Sequence, residues 1–108
     1  MSRTRIIDER DAGGNTALMR AALDGQTETV EALLSGGADV NARNENEHWG
    51  TTPLHAAAHA NQAKIAKLLI DHGADLKAKD LAGKTPMHHT TFHKAKAVAK
   101  LLESYEAI

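Results

Sequence analysis

The stretch "TTPLHAAAHANQAKIAKLLIDHGADLKAK", residues 51–79, decides the architecture. Thr52 stands where a helix N-cap belongs, with a hydroxyl able to satisfy a backbone N–H that the first turn leaves unpaired. Pro53 follows at the first helical position, where its fixed φ suits the helix and its missing N–H is not needed. A short alanine-rich helix, a polar break at "ANQ" and a second helix come next. In that second helix Ile65, Leu68 and Leu69 have the i, i+3, i+4 spacing of one apolar face. Gly73 then stops it, as a left-handed residue after a helix does.

The same pattern occurs twice more. "NTALMRAALDGQTETVEALLSGGADVNAR" (15–43) and "KTPMHHTTFHKAKAVAKLLESYEAI" (84–108) superpose on it without gaps. Thr16, Thr52 and Thr85 mark equivalent points, and their separations are 52 − 16 = 36 and 85 − 52 = 33. Each threonine follows a glycine-bearing turn: "DAGGNT", "EHWGTT" or "DLAGKT". Pro86 repeats Pro53, and Gly37 repeats Gly73. Helices of seven or eight residues are not stable alone in water, and a single pair cannot bury its own stripe. Stacking like on like is the solution, with Ala21, Ala22, Ala57 and Ala58 allowing close approach. The spacing therefore predicts an all-α solenoid of stacked helix-turn-helix pairs with protruding β-hairpin loops.

Composition agrees. The chain has 108 residues, enough for one modest core, with 42% hydrophobic and 25% charged residues. Aromatics are only 3%, so small apolar side chains do the packing. The absence of cysteine removes disulfides and thiolate chemistry together. No apolar run approaches a membrane span, and "MSRTRIIDER" is too polar for a signal peptide, so the expected location is cytoplasmic. Residues 1–50 carry five arginines against nine acids, and residues 51–108 carry eight lysines against five. That asymmetry is read as lysines on solvated helix faces, not as a nucleic-acid surface.

The letters T-P-L-H, the alanine pair, the leucine pair and the closing G-A-D resemble the ankyrin repeat, over about residues 11–108. The resemblance implies an N-terminal extension at 1–10 and repeats at 11–43, 44–79 and 80–108. The middle repeat carries three extra residues around "NENEHWG". It also implies that His55 and His88 are structural, their rings bonding backbone near the hairpins and tying adjacent repeats together. Polar replacements fall in the outer repeats (Thr29, Thr90, Thr91, Glu103, Glu106), as solvent-facing caps require.

By the same resemblance, a concave groove receives Arg20, Leu23 and Asp24 from the first repeat. His59 from the second and His89, Phe92 and His93 from the third join them. The hairpins contribute His48, Trp49 and Thr51, then Leu81 and Lys84. Trp49 and Phe92 are not required by the repeat pattern, and large aromatics on an exposed concave surface are usual interface anchors. The expected function is a non-enzymatic, monomeric protein-binding module that uses no cofactor, nucleic acid or membrane. Two alternatives stay open. One is a structural or regulatory segment of a larger protein. The other is a metal site among His59, His89 and His93, completed by His48 or Asp24. Protonation of the same histidines below about pH 6.5 offers a way to tune partner binding. Serines Ser2, Ser35 and Ser104 have no nucleophile elbow around them, and no phosphate-cradling loop is present.

Overall fold

The computed structural model describes residues 6–46, 49–92 and 95–106; of Ile6 and Phe92 it describes only the backbone. Six α-helices are found there: α1 (Ala17–Asp24), α2 (Thr27–Ser35), α3 (Pro53–His59), α4 (Ala63–Asp71), α5 (Pro86–Phe92) and α6 (Lys96–Glu106). A short 3-10 turn, Ile6–Asp8, precedes them and packs on α1. The helices form three antiparallel pairs. The first members stack in one row, α1 on α3 on α5, and the second members in another, α2 on α4 on α6. The stack measures 42 × 28 × 24 Å.

The helix ends follow from the residues at them. Thr16 accepts from the Met19 N–H and Thr52 from the His55 N–H, each closing the first turn of its helix. At the other end, Gly37 and Gly73 have φ of 91° and 95° and stand one residue beyond the cap. Paired bonds accompany both: Ala38 N–H to Leu33 O with Gly37 N–H to Leu34 O, and Ala74 N–H to Leu69 O with Gly73 N–H to Ile70 O. This is the left-handed stop expected of glycine. Asn61, with φ of 55°, takes the left-handed place in the α3–α4 turn that Gly25 takes in α1–α2. Its side-chain oxygen also accepts from the Val98 N–H in the first turn of α6, so one amide turns its own repeat and caps the next.

The core is a continuous seam between the two rows. Leu18, Ala21, Ala22, Val30 and Leu34 meet Leu54, Ala56, Ala57, Ala58, Ile65, Ala66 and Leu69, followed by Val98 and Leu102. Alanines dominate α1 and α3, and their short side chains let the first row pack closely. No β-strand occurs among the described residues, and Arg10 and Thr16 make the one isolated bridge. The protruding loops are instead tight turns, each closed by one rung: Asp11 N–H to Asn15 O, Asn44 N–H to Thr51 O, and Asp80 N–H to Lys84 O. The partners are four positions apart in the first and third loops and seven in the second, so the three extra residues lie between Asn44 and Thr51.

Candidate functional site

The three loop tips stand side by side and bond to one another. Asp11, Asn44 and Asp80 occupy one equivalent position. Each accepts a backbone N–H two residues on, from Gly13, Asn46 and Ala82 respectively, which is an Asx turn. Asn44 is buried and does more. Its amide donates to Gly13 O at 3.2 Å and to the Asn15 side-chain oxygen at 2.6 Å. The enlarged second loop thus leans on the first through Asn44 and through the Glu45 N–H bond to Gly14 O. On its other side, Leu81 N–H donates to Trp49 O at 2.9 Å. The longer loop is a staple across all three tips.

Two arginines reinforce it. Arg10 donates to Arg43 O at 2.9 and 3.1 Å, and Arg43 donates onward to Lys79 O at 2.6 Å and to Gly50 O at 3.1 Å. Arg10, Arg43 and Lys79 are equivalent in register, so each arginine clamps the carbonyl of its own counterpart in the next repeat. The guanidinium fork suits this work, since several donors leave one rigid plane.

Beneath the tips, the groove holds a hollow of 240 Å³ lined by Leu23, Trp49, Thr51, His55, Ala56, His59 and His89. Its lining is mainly apolar, and Ala56 gives it depth because a methyl is all that projects there. Trp49 and Leu81 stand beside it with 58% and 63% of their surface exposed, the two large hydrophobics exposed among the described residues.

His55 forms the floor and is fully buried. The Thr52 N–H donates to its Nδ1 at 3.0 Å, and the Thr52 hydroxyl lies 2.8 Å from the same atom. A backbone N–H has only a proton to offer, so Nδ1 carries the lone pair and Nε2 the hydrogen. Nε2 then donates to Lys84 O at 2.9 Å, across to the third repeat. Burial pushes the His55 pKa below the ordinary imidazole value, and the Lys84 bond offsets part of that.

His89 meets His55 edge to face, with ring centroids 5.0 Å apart, and its Nε2 donates to Asp80 Oδ2 at 2.9 Å. The pair is well covered, with side-chain exposures of 17% and 8%. Burial alone would raise the Asp80 carboxyl. The bonds from His89 and from the Lys84 and Ala82 N–H groups outweigh it and hold the pKa below the usual value.

His55, Asp80 and His89 present ligand-type atoms within 4.8 Å of one another. They do not fit a metal as they stand. Nε2 of His55 bears a hydrogen and so offers no lone pair, and the opposite tautomer would set an Nδ1–H against the Thr52 N–H. The cluster is a strut between repeats.

Of the residues expected in the groove, Leu23, Trp49, Thr51, His59 and His89 line the hollow, and Leu81 stands at the adjoining tip. Arg20 is exposed and paired with Asp11 at 3.3 Å, and Asp24 is exposed at the end of α1; neither lines the hollow. Lys84 enters through its backbone, as the acceptor for His55. His48, His93 and the Phe92 side chain lie outside the described residues.

The two motif histidines differ in their surroundings. His88 takes its N–H from Thr85 at 3.1 Å as His55 does from Thr52, but it is exposed and, among the described residues, joins no second repeat. The hairpin carbonyl that answers His55 has no counterpart for His88 among the described residues. Sequence reading also passed over Asn44 and Asp80. The signal for Asp80 was present, since aspartate stands five residues before the threonine in "DAGGNT" and "DLAGKT" alike.

Comparison with known families matches this geometry. A model described as ankyrin repeats, in three copies, covers residues 37–107, and a single ankyrin-repeat model covers 13–45. The chain belongs to the ankyrin-repeat family. It is also similar to inversin of Gallus gallus, 40% identical over 101 residues, which is 93% of this chain and 9% of that protein. The chain therefore spans under a tenth of that relative's length. Ankyrin repeats are in general protein–protein interaction modules and typically non-catalytic. No helix among the described residues is long and apolar enough to cross a membrane.

Proposed function

We propose that this ankyrin array is a non-enzymatic protein-binding module, with a partner side chain seated in the hollow and the partner's surface resting on Trp49 and Leu81. One observation carries the reading. The two exposed large hydrophobics stand on neighbouring tips, joined by the Leu81 N–H to Trp49 O bond, at the mouth of a mainly apolar hollow. Such a side chain releases most when its apolar area leaves water, at about 25 cal/mol per Å². The loops are already bonded to each other, so little order remains to be imposed on binding. A cytoplasmic, monomeric protein is the setting this reading assumes.

The test is capture from a lysate of the source organism by wild type, Trp49→Ala/Leu81→Ala and Lys96→Ala/Lys100→Ala. The reading requires a protein held by the first and third and lost by the second. Retention by all three would move the site away from the groove. The coverage of the inversin relative favours a second reading, in which the array works as a segment of a larger protein. In that case the chain alone captures nothing, while the full-length parent does.

A further inference from the structure

One ring closes both the floor of the hollow and the joint to the third repeat. Nδ1 of His55 accepts the Thr52 N–H that opens α3, and Nε2–H holds Lys84 O. A second proton on this ring has one place to go. On Nδ1 it would face the Thr52 N–H across 3.0 Å, donor against donor, so the ring's half of the α3 capping box would be lost and the Thr52 hydroxyl, 2.8 Å away, would have to turn to accept.

The surroundings do not shelter that charge. From α5, His89 lies 5.0 Å away edge-on, and from the second loop Arg43 adds positive charge. Asp80, in the third loop, is the one carboxylate among the described residues acting on the ring, and it is already engaged by His89 and two backbone N–H groups. His59, on α3 itself, faces the hollow from the rim. Thr51 and Trp49 lie one and three residues from the threonine that the ring holds, so motion of the cap is motion of the hollow's wall.

We infer that His55 is a proton-operated latch: protonating it breaks the bond from the Thr52 N–H at the start of α3, while Nε2–H keeps its hold on the Lys84 carbonyl, and opens the wall that carries Trp49. Burial keeps the ring neutral near pH 7, so the latch is closed there and opens on acidification below the ordinary imidazole range. The consequence, release of a bound partner in acid, rests on the groove reading. The latch itself belongs to the free protein and is tested without a partner.

The chain has a single tryptophan, which makes Trp49 its own reporter. Its emission, the His55 imidazole NMR shifts and the far-UV circular dichroism are followed together from pH 8 to 4.5. The expected result is a one-proton change in Trp49 emission, centred below pH 6.5, at the midpoint of the His55 titration and with helix content retained. It disappears in His55→Asn and persists in His59→Asn. Different midpoints for Trp49 and His55, loss of the step in His59→Asn, or loss of helix in the same step would each overturn the latch. Should His55→Asn fail to fold, coincidence of the two wild-type midpoints decides alone. A latch that opens in acid while capture by the Trp49→Ala/Leu81→Ala variant equals wild type counts against the groove, not the latch.

Discussion

His55 and His88 occupy the same letter of the same motif and perform different work. Each ring accepts the N–H of the threonine three residues before it. His55 is buried between two repeats and spends its second nitrogen on Lys84 O; His88 is exposed and, among the described residues, bonds only to Thr85. The local cap is thus a property of the motif, written in T-P-x-H. The joint between repeats is a property of position, because it needs a following hairpin to supply the carbonyl.

Four substitutions and a pH series test that contrast. His55→Ala empties a buried site and leaves the Thr52 N–H and the Lys84 carbonyl without their partner, so a loss of about 3 kcal/mol is expected in urea denaturation. A loss near that of His88→Ala would break the comparison. Asn44→Ala removes the amide that bonds the first two tips; about 1–2 kcal/mol is expected, with faster hydrogen exchange at Glu45 and Asn46. Gly50→Ala acts at one tip. Its φ is 64° and a Cβ would come within 2.8 Å of Leu81 Cγ, so about 1 kcal/mol and displaced Leu81 resonances are expected. His88→Ala is the smallest, within about 1 kcal/mol, the worth of an exposed cap.

The pH series carries a definite sign. The folded pKa of His55 is below its unfolded value near 6.5, so the unfolded chain binds the extra proton more readily. Its contribution is complete above pH 6.5 and falls as pH drops from there toward the folded value. Asp80 and Asp11 are also depressed, so their contributions are present above about pH 4 and are lost below it. Chemical denaturation should therefore show two declines on acidification, and His55→Asn should remove only the upper one.

The repeat made the stacking legible in advance. Threonine caps, glycine stops and apolar stripes are local signals, and a period repeated three times turns local signals into an architecture. The loops were less legible. The three extra residues of the second loop disguised the equivalence of Asn44 with Asp11 and Asp80, because gapless matching from Thr52 backward pairs those aspartates with Glu47. The bond from Arg43 to Lys79 O joins residues 36 apart through a backbone carbonyl, which leaves no mark on residue identity. Trp49 and Leu81 stood out in the sequence only as large side chains in polar loops, and their bond to each other runs through the backbone as well.

The central claim is that binding uses the hollow and its two exposed tips. Hydrogen exchange on the captured complex, compared with the free chain, tests it most directly. The account predicts new protection at Trp49, Gly50, Thr51 and Leu81 and at the His59 end of α3, with α2, α4 and α6 unchanged. Protection confined to α2, α4 and α6, with the tips exchanging as in the free protein, would contradict it.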